Sequence, residues 1–426
     1  MARRRPGSPA KMTGLRARRA GVTFLAGASL VQLVSNATAA VVATMVLGPG
    51  QRGVMVIGVS IGGISALVGG LGTGSALRAR LPSCPDRVAR CRLLSSYAWW
   101  TAAALVIAVA VALSTSVISA PLIDPALASV GFLGALGMFT VWQVLMLQTT
   151  EAWFADGHYR RGGIAAASTT AAGVAALLLT ATVSTDAGVL LFAQGLGASV
   201  AWLAQVRGLR RADLLVAGRP EPAGLATLVG KGVPALGLSL GLAVALRADR
   251  YLLGTVAGPA AVGIYSLAAT LSEVSRLFPQ TIGQFFMREV ALGGGRQRLV
   301  HRVLVSTAVT VAAGLLIAAA GWLLIVPMFG AEFGQARFLL LVLVVAEVCF
   351  APYAVASRGL LGGGWTRTVG ALGVLAGAAA IGCYLVGARM GGSAGLATSC
   401  VVLYSCLSAA ALVLFLRRTR LSTGQD

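Results

Sequence analysis

Apolar residues run along this chain in long blocks separated by short polar connections. Twelve blocks stand out, at about 21–46, 54–76, 94–119, 127–149, 163–183, 188–206, 228–256, 260–287, 302–326, 336–357, 368–388 and 394–416. About 20 apolar residues in a helix suffice to cross a hydrocarbon layer of about 30 Å. The pattern therefore predicts an all-α, polytopic membrane protein with twelve transmembrane helices.

Composition agrees. Of 426 residues, 57% are hydrophobic and 11% are charged, and the mean hydropathy is +0.85. A soluble domain carries about a quarter charged residues, so a soluble enzyme, a disordered chain and a fibrous protein are all excluded. There are 34 basic and 13 acidic residues, a net charge of +21. Such an excess can mark a nucleic-acid binder, but here its distribution points to the membrane. Alternate connections, beginning with the N-terminus, carry seven, five, two, five, four, two and three Lys or Arg. The opposite connections carry only Arg52, Arg337 and Arg389. This asymmetry places both termini in the cytoplasm, in a cytoplasmic membrane. Residues 1–20 form a basic, signal-like leader, with Arg3-Arg4-Arg5 or Arg18-Arg19 readable as a twin-arginine signal. The apolar block that follows is too long for a cleaved signal and predicts an uncleaved first helix.

The two halves repeat. Gly48-Pro49 with Gly53 lines up with Gly258-Pro259 and Gly263 at an offset of 210, and Arg78 with Arg288 at the same offset. Gly157, Arg160, Gly188 and Arg210 match Gly364, Arg367, Gly395 and Arg417 at 207. The predicted organisation is a basic cytoplasmic segment (1–20), an N-lobe of helices 1–6 (21–210), a cytoplasmic linker (211–226), a C-lobe of helices 7–12 (227–417) and a tail (418–426). An even number of helices per repeat gives both lobes the same orientation. Two pseudo-symmetric lobes facing one another suit alternating access.

Charges inside the apolar blocks are costly, about 2.5–3.5 kcal/mol each, and should face protein or water. Glu273, Arg276, Gln280 and Gln284 share one face of an ideal helix, with Pro279 set to distort it. They read as a cavity wall or as a Glu273–Arg276 structural pair. Arg247 and Arg250 share a face from which Asp249 points away. Counted from Lys231, Arg247 lies about 24 Å along its helix, near the outer interface, where it would receive an anion or snorkel. Ser29, Gln32 and Asn36 form an uncharged stripe suited to sugar hydroxyls or to helix packing. Glu347, in the middle of the tenth block, is a candidate ion-coupling site or a paired structural carboxylate. Gly58-x-x-x-Gly62 predicts close helix packing, and Trp99 and Trp100 read as interface anchors. The six cysteines form no C-x-x-C pair and read as small apolar fillers; no metal or cofactor signature and no catalytic constellation occurs.

Several segments resemble the O-antigen and polysaccharide flippases of the multidrug/oligosaccharidyl-lipid/polysaccharide exporter superfamily. They are Leu47-Gly48-Pro49 with Gly53; Arg247 to Gly254 followed by Val262 to Ala268; Pro327 to Phe333; and Gly392 to Ala397. The resemblance covers residues 21–418. It departs from the drug exporters in having no acid in residues 21–46, and from lipid II flippases in reading Ala269-Thr270 where those show an acid-Arg pair. It implies transfer of a polyprenyl-diphosphate-linked oligosaccharide to the outer leaflet. The diphosphate would sit among Arg276, Arg247 and Arg250, the sugars in the cavity, and the tail in lipid. The implied partners are membrane lipids, that lipid-linked saccharide and the glycosyltransferases or polymerase of its pathway; no nucleic acid and no cofactor is expected. Two alternatives stay open. One is a cation-coupled drug or metabolite exporter using Glu347 or Glu273. The other, a membrane glycosyltransferase or polymerase, is disfavoured by short outer connections with single acids such as Asp124, Asp186 and Glu332.

Overall fold

The computed structural model describes residues 9–216, 218–291 and 296–423, and no strand occurs among them. The Arg3-Arg4-Arg5 run and the last residues of the tail lie outside the described residues. The first half comprises α1 (Pro9–Val46), α2 (Pro49–Gly70), the short α3 (Thr73–Arg80), α4 (Arg87–Ser119), α5 (Val130–Ala155), α6 (Tyr159–Thr180) and α7 (Ala187–Arg211). The second comprises α8 (Pro222–Glu273), α9 (Leu277–Ala291), α10 (Arg296–Phe329), α11 (Gln335–Gly362) and α12 (Thr366–Thr423).

Two of these helices each hold two apolar blocks. α8 breaks at Gly258, where φ is 77°, and α12 breaks at Gly391 and Gly392, with φ of −149° and 56°. The second part of α8 continues through a 3-10 turn, Val274–Arg276, into α9. Counted this way the described helices make twelve crossings, six in each half, as the apolar blocks predict. The helices overrun the blocks at polar ends: α4 begins at Arg87 and α8 at Pro222, because charged residues continue a helix once it leaves the apolar layer.

The repeat has a local cause. Pro49 and Pro259 each open a helical segment after a glycine. Proline suits the first helical position, where its fixed φ is pre-set and its missing N–H would have had no partner. Gly258 reaches positive φ without a Cβ clash, so the chain reverses there.

In the first half, α5 packs its rings onto α2. A Cβ at Gly58 would stand 2.8 Å from the Phe132 ring, and one at Gly62 would stand 2.8 Å from Phe139. In the second half α11 is central, with Phe350, Tyr353, Val355 and Leu360 buried against α8, α9, α10 and α12. Pro352 disturbs its ladder, and a hydroxyl from α12 repairs it. The Tyr353 N–H donates to Ser408 Oγ at 3.0 Å, and Ser408 donates to the Cys349 carbonyl at 2.5 Å. Inserted side chains of this kind stabilise proline kinks.

The halves meet chiefly along α2 and α8. At one end the contact is reciprocal: Gly53 lies against the Pro259 carbonyl and Gly263 against that of Pro49. At the other end Gly72 and Gly232 meet backbone to backbone. Among the described residues no comparable contact joins α1 to α9, and α1 crosses only weakly to α8 and α10. Among the described residues, the α2–α8 side is thus the closely packed one.

The connection 212–221 is strapped to α4. Trp99 Nε1 donates to the Gly218 carbonyl at 2.9 Å, and the Glu221 N–H donates to Ser96 Oγ at 3.0 Å. Trp100 Nε1 donates to the last carbonyl of α2, Gly70, at 3.3 Å. Both tryptophans, read from the sequence as interface anchors, here tie chain segments together.

The glycine contact sets a test. Gly53→Ala would drive its methyl into the Pro259 carbonyl and destabilise the folded protein by about 1–3 kcal/mol, the usual cost of overpacking. Gly134→Ala, where a Cβ meets nothing within 4 Å, should be neutral or stabilising by up to about 1 kcal/mol. Thermal unfolding in detergent measures both.

Candidate functional site

The charged residues inside the apolar blocks gather where the halves meet. The first part of α8 brings Arg247, Asp249 and Arg250. Its second part ends in Glu273, and the 3-10 turn carries Arg276.

Arg250 pairs with Glu273 across the two parts of α8. Arg276 pairs with Glu347 of α11 through two parallel bonds, of which Nε to Oε2 is 2.8 Å. Its guanidinium also lies 5.2 Å from the Phe350 ring centroid and 6.0 Å from that of Tyr404. Arg276 is 8% exposed and Glu347 3%. The structure thus replaces the sequence-based Glu273–Arg276 pair with two others. It also splits the expected stripe: Arg276 turns into the second half, while Gln280 and Gln284 are exposed. The physical reason is the 3-10 turn. Pro279 cannot donate to the carbonyl of Ser275 and crowds it. The backbone tightens there to about three residues per turn, so side chains on either side lose register.

Asp249 does point away from its neighbours. It is 5% exposed and accepts a 2.8 Å bond from the Tyr265 hydroxyl, which also contacts Cys400 at 3.4 Å. Its Oδ1 has no partner. Tyr384 closes the same region by donating to the Ala245 carbonyl at 2.5 Å.

Arg247 differs from the other arginines of α8 and its turn. It is exposed although it faces α2, where a Cβ at Gly63 would stand 3.1 Å from Nη1. Among the described residues it has no hydrogen-bond acceptor and no ion pair. It lies eleven residues before the Gly258 break, about 16 Å along the helix, so it sits inside the apolar layer rather than at its surface. It also lies 16 residues after Lys231, so it stands between the two ends of this part of α8. A guanidinium within an apolar span is expected to face protein or water rather than lipid.

On α1, Gln32 turns toward Met146 of α5 at 4.0 Å, Asn36 is exposed, and the side chain of Ser29 lies outside the described set. α9 exposes Phe278, Gln280, Thr281, Gln284 and Phe285. Exposed amides are unfavourable in hydrocarbon, which sets Gln280, Gln284 and Asn36 apart from the exposed apolar residues Leu30, Val31 and Val34 of α1.

Sequence reasoning passed over Arg52, counted there as a connection residue. It lies in the first turn of α2, is 4% exposed, and its Nε has no acceptor. The Gly48-Pro49 helix start was the signal that could have placed it inside a helix. Among the described residues no group of three His, Cys, Asp or Glu side chains converges on a metal position, and all six cysteines are free.

No family model matches the chain, and no curated protein matches it. Solved structures do. An inward-facing multidrug resistance MATE family transporter of the MOP superfamily superposes with a TM-score of 0.76 at 15% identity, covering 93% of this chain and 96% of that one. The lipid II flippase MurJ in an inward closed conformation gives 0.74 at 10% identity, over 92% and 87%. An outward-facing MATE family transporter gives 0.55 at 15% identity, over 95% and 96%. These likenesses show the fold, that of a multi-pass membrane protein.

The buried pair yields a second test. Arg276→Leu or Glu347→Leu alone leaves an uncompensated buried charge and should lower stability by about 3–5 kcal/mol. The double variant should recover much of that loss. Unfolding midpoints of the three variants in detergent decide it.

Proposed function

We propose that this chain moves a polyprenyl-diphosphate-linked oligosaccharide from the inner to the outer leaflet of the cytoplasmic membrane by alternating access, for cell-surface polysaccharide biosynthesis. The observation that carries the reading is Arg247, an exposed cation with no hydrogen-bond acceptor and no ion pair among the described residues, on the helix along which the halves meet. A lipid-linked saccharide has three chemically different parts, and this reading gives each a place. The diphosphate meets Arg247, with Arg250 beside it. The sugars meet water and the amides of Gln280, Gln284 and Asn36. The prenyl tail stays in lipid.

In this reading the Pro49–Pro259 end is the outer one and is closed. Translocation parts the reciprocal glycine contacts there and closes the α1–α9 side. Arg276 and Glu347 serve as a structural tie between the 3-10 turn and α11, and the diphosphate contacts fall to Arg247 and Arg250. Glycosyltransferases or a polymerase of the same pathway would supply and consume the cargo.

A second reading, a cation-coupled exporter of drugs or metabolites, draws on one observation: the buried Asp249 has an oxygen without a partner. Glu347 suits that role less well, because Arg276 already occupies both its oxygens.

The test is transport by the purified protein in sealed vesicles, with an undecaprenyl-diphosphate oligosaccharide as cargo. Arg247→Ala should reduce the rate by about 10–100-fold, the value of one charge-assisted contact, with an unchanged melting temperature. Transport at the normal rate by Arg247→Ala would remove Arg247 from the path. Loss of transport only in Asp249→Asn, with a small cationic drug as cargo, would favour the second reading.

A further inference from the structure

We propose that a cavity between the starts of α2, α5 and α7 holds the ammonium headgroup of a membrane phospholipid of the phosphatidylethanolamine class, whose acyl chain lies along α7. The cavity has a volume of about 270 Å3. Val54 and Phe132, both buried, form its floor, and Gln51, Ser129 and Asp186, all exposed, form its rim. Backbone donors hold the rim in place: the Ala187 N–H donates to Gln51 Oε1 at 3.1 Å, and the Phe132 N–H to Ser129 Oγ at 3.3 Å. Asp186 carries the only charge among the lining residues. Its Oδ1 accepts from the Val189 N–H at 2.8 Å, and among the described residues no cation pairs with it. The connections that lead into α5 and α7, 120–129 and 181–186, contain no Lys or Arg.

Charge, size and surroundings select the occupant. A carboxylate with no basic neighbour favours a cation and disfavours an anionic headgroup, which binds at basic pockets. The volume falls below the about 300–1,000 Å3 of a drug-sized ligand. An oligosaccharide is too large for it, and a small headgroup is not. Val189 and Phe192, both exposed, line the cavity on the outside of the bundle. From them an apolar stripe runs on through Leu196, Val200 and Leu203, all exposed, at spacings that keep to one helix face. A soluble amine would leave that stripe unused. A lipid uses both features, its ammonium at Asp186 and Ser129 and its chain on the stripe. Bound there, it braces the first turn of α2, two residues before the contact of Gly53 with Pro259. The site is separate from Arg247 and Arg250 and does not depend on what the cargo is.

The experiment compares melting temperatures of the full chain in detergent without lipid and with three additions. These are phosphatidylethanolamine, phosphatidylglycerol with the same chains, and glycerophosphoethanolamine, which has the headgroup and no chains. Phosphatidylethanolamine should raise the melting temperature by about 2–4 °C, as expected when a ligand binds only the folded state; the other two should not. Asp186→Asn, which keeps a good helix cap, should lose the shift. Ala126→Phe, which fills the cavity, should lose it too, while Asp124→Asn, outside the lining, should retain it. A photoreactive phosphatidylethanolamine in vesicles should label α7 of the wild-type protein and label it less in Asp186→Asn, which keeps the test valid if Ala126→Phe fails to fold. No shift with phosphatidylethanolamine would overturn the proposal, as would an equal shift with phosphatidylglycerol or a full shift in Asp186→Asn. An equal shift with glycerophosphoethanolamine would overturn the lipid as occupant in favour of a soluble amine.

Discussion

The structure depends on the close approach of α2 and α8. Backbone meets backbone at Gly53–Pro259, at Gly263–Pro49 and at Gly72–Gly232, and a side chain at these glycines would force the halves apart. Without a hydrophobic drive between helices in lipid, such small-residue contacts are what hold helices together. The two Gly-Pro segments occupy equivalent places in the repeat, so the contact at that end is its own mirror under a two-fold operation. Among the described residues the pseudo-equivalent α1–α9 side makes no comparable contact.

That asymmetry sorts the intramembrane charges. Those that pack inward are matched: Arg276 with Glu347 between aromatic rings, Arg250 with Glu273. Those left on the seam are not: among the described residues Arg247 has no acceptor or ion pair, and Arg52 Nε has no acceptor. A buried matched pair stabilises only as a pair and fixes geometry. An unmatched cation is held at a cost, and its natural use is to meet an anion. The burial of each arginine, more than its position in sequence, separates architecture from recognition.

Much of the fold could be read from the residues alone. Block lengths and the Lys/Arg asymmetry announced twelve crossings, because a hydrocarbon layer imposes a length on every helix. Gly48-Pro49 and Gly258-Pro259 announced the repeat, because both punctuate a helix start. The site was less legible. Helical spacing placed Glu273, Arg276, Gln280 and Gln284 on one face, but Pro279 replaces one turn with 3-10 geometry and parts them. The partner of Arg276 is 71 residues away, on a helix whose rotation follows from Pro352 and the inserted Ser408. No periodicity within one helix reports such a pairing. Arg52 was missed because a block begun at residue 54 left it in a loop.

The most direct measurement is the sidedness of polyprenyl-linked saccharides in cells lacking this chain. The expected result is a completed lipid-linked oligosaccharide that accumulates on the cytoplasmic face, shielded from a membrane-impermeant glycan-modifying reagent. An unchanged pool, fully accessible from outside, would contradict the assignment of a lipid-linked saccharide as cargo.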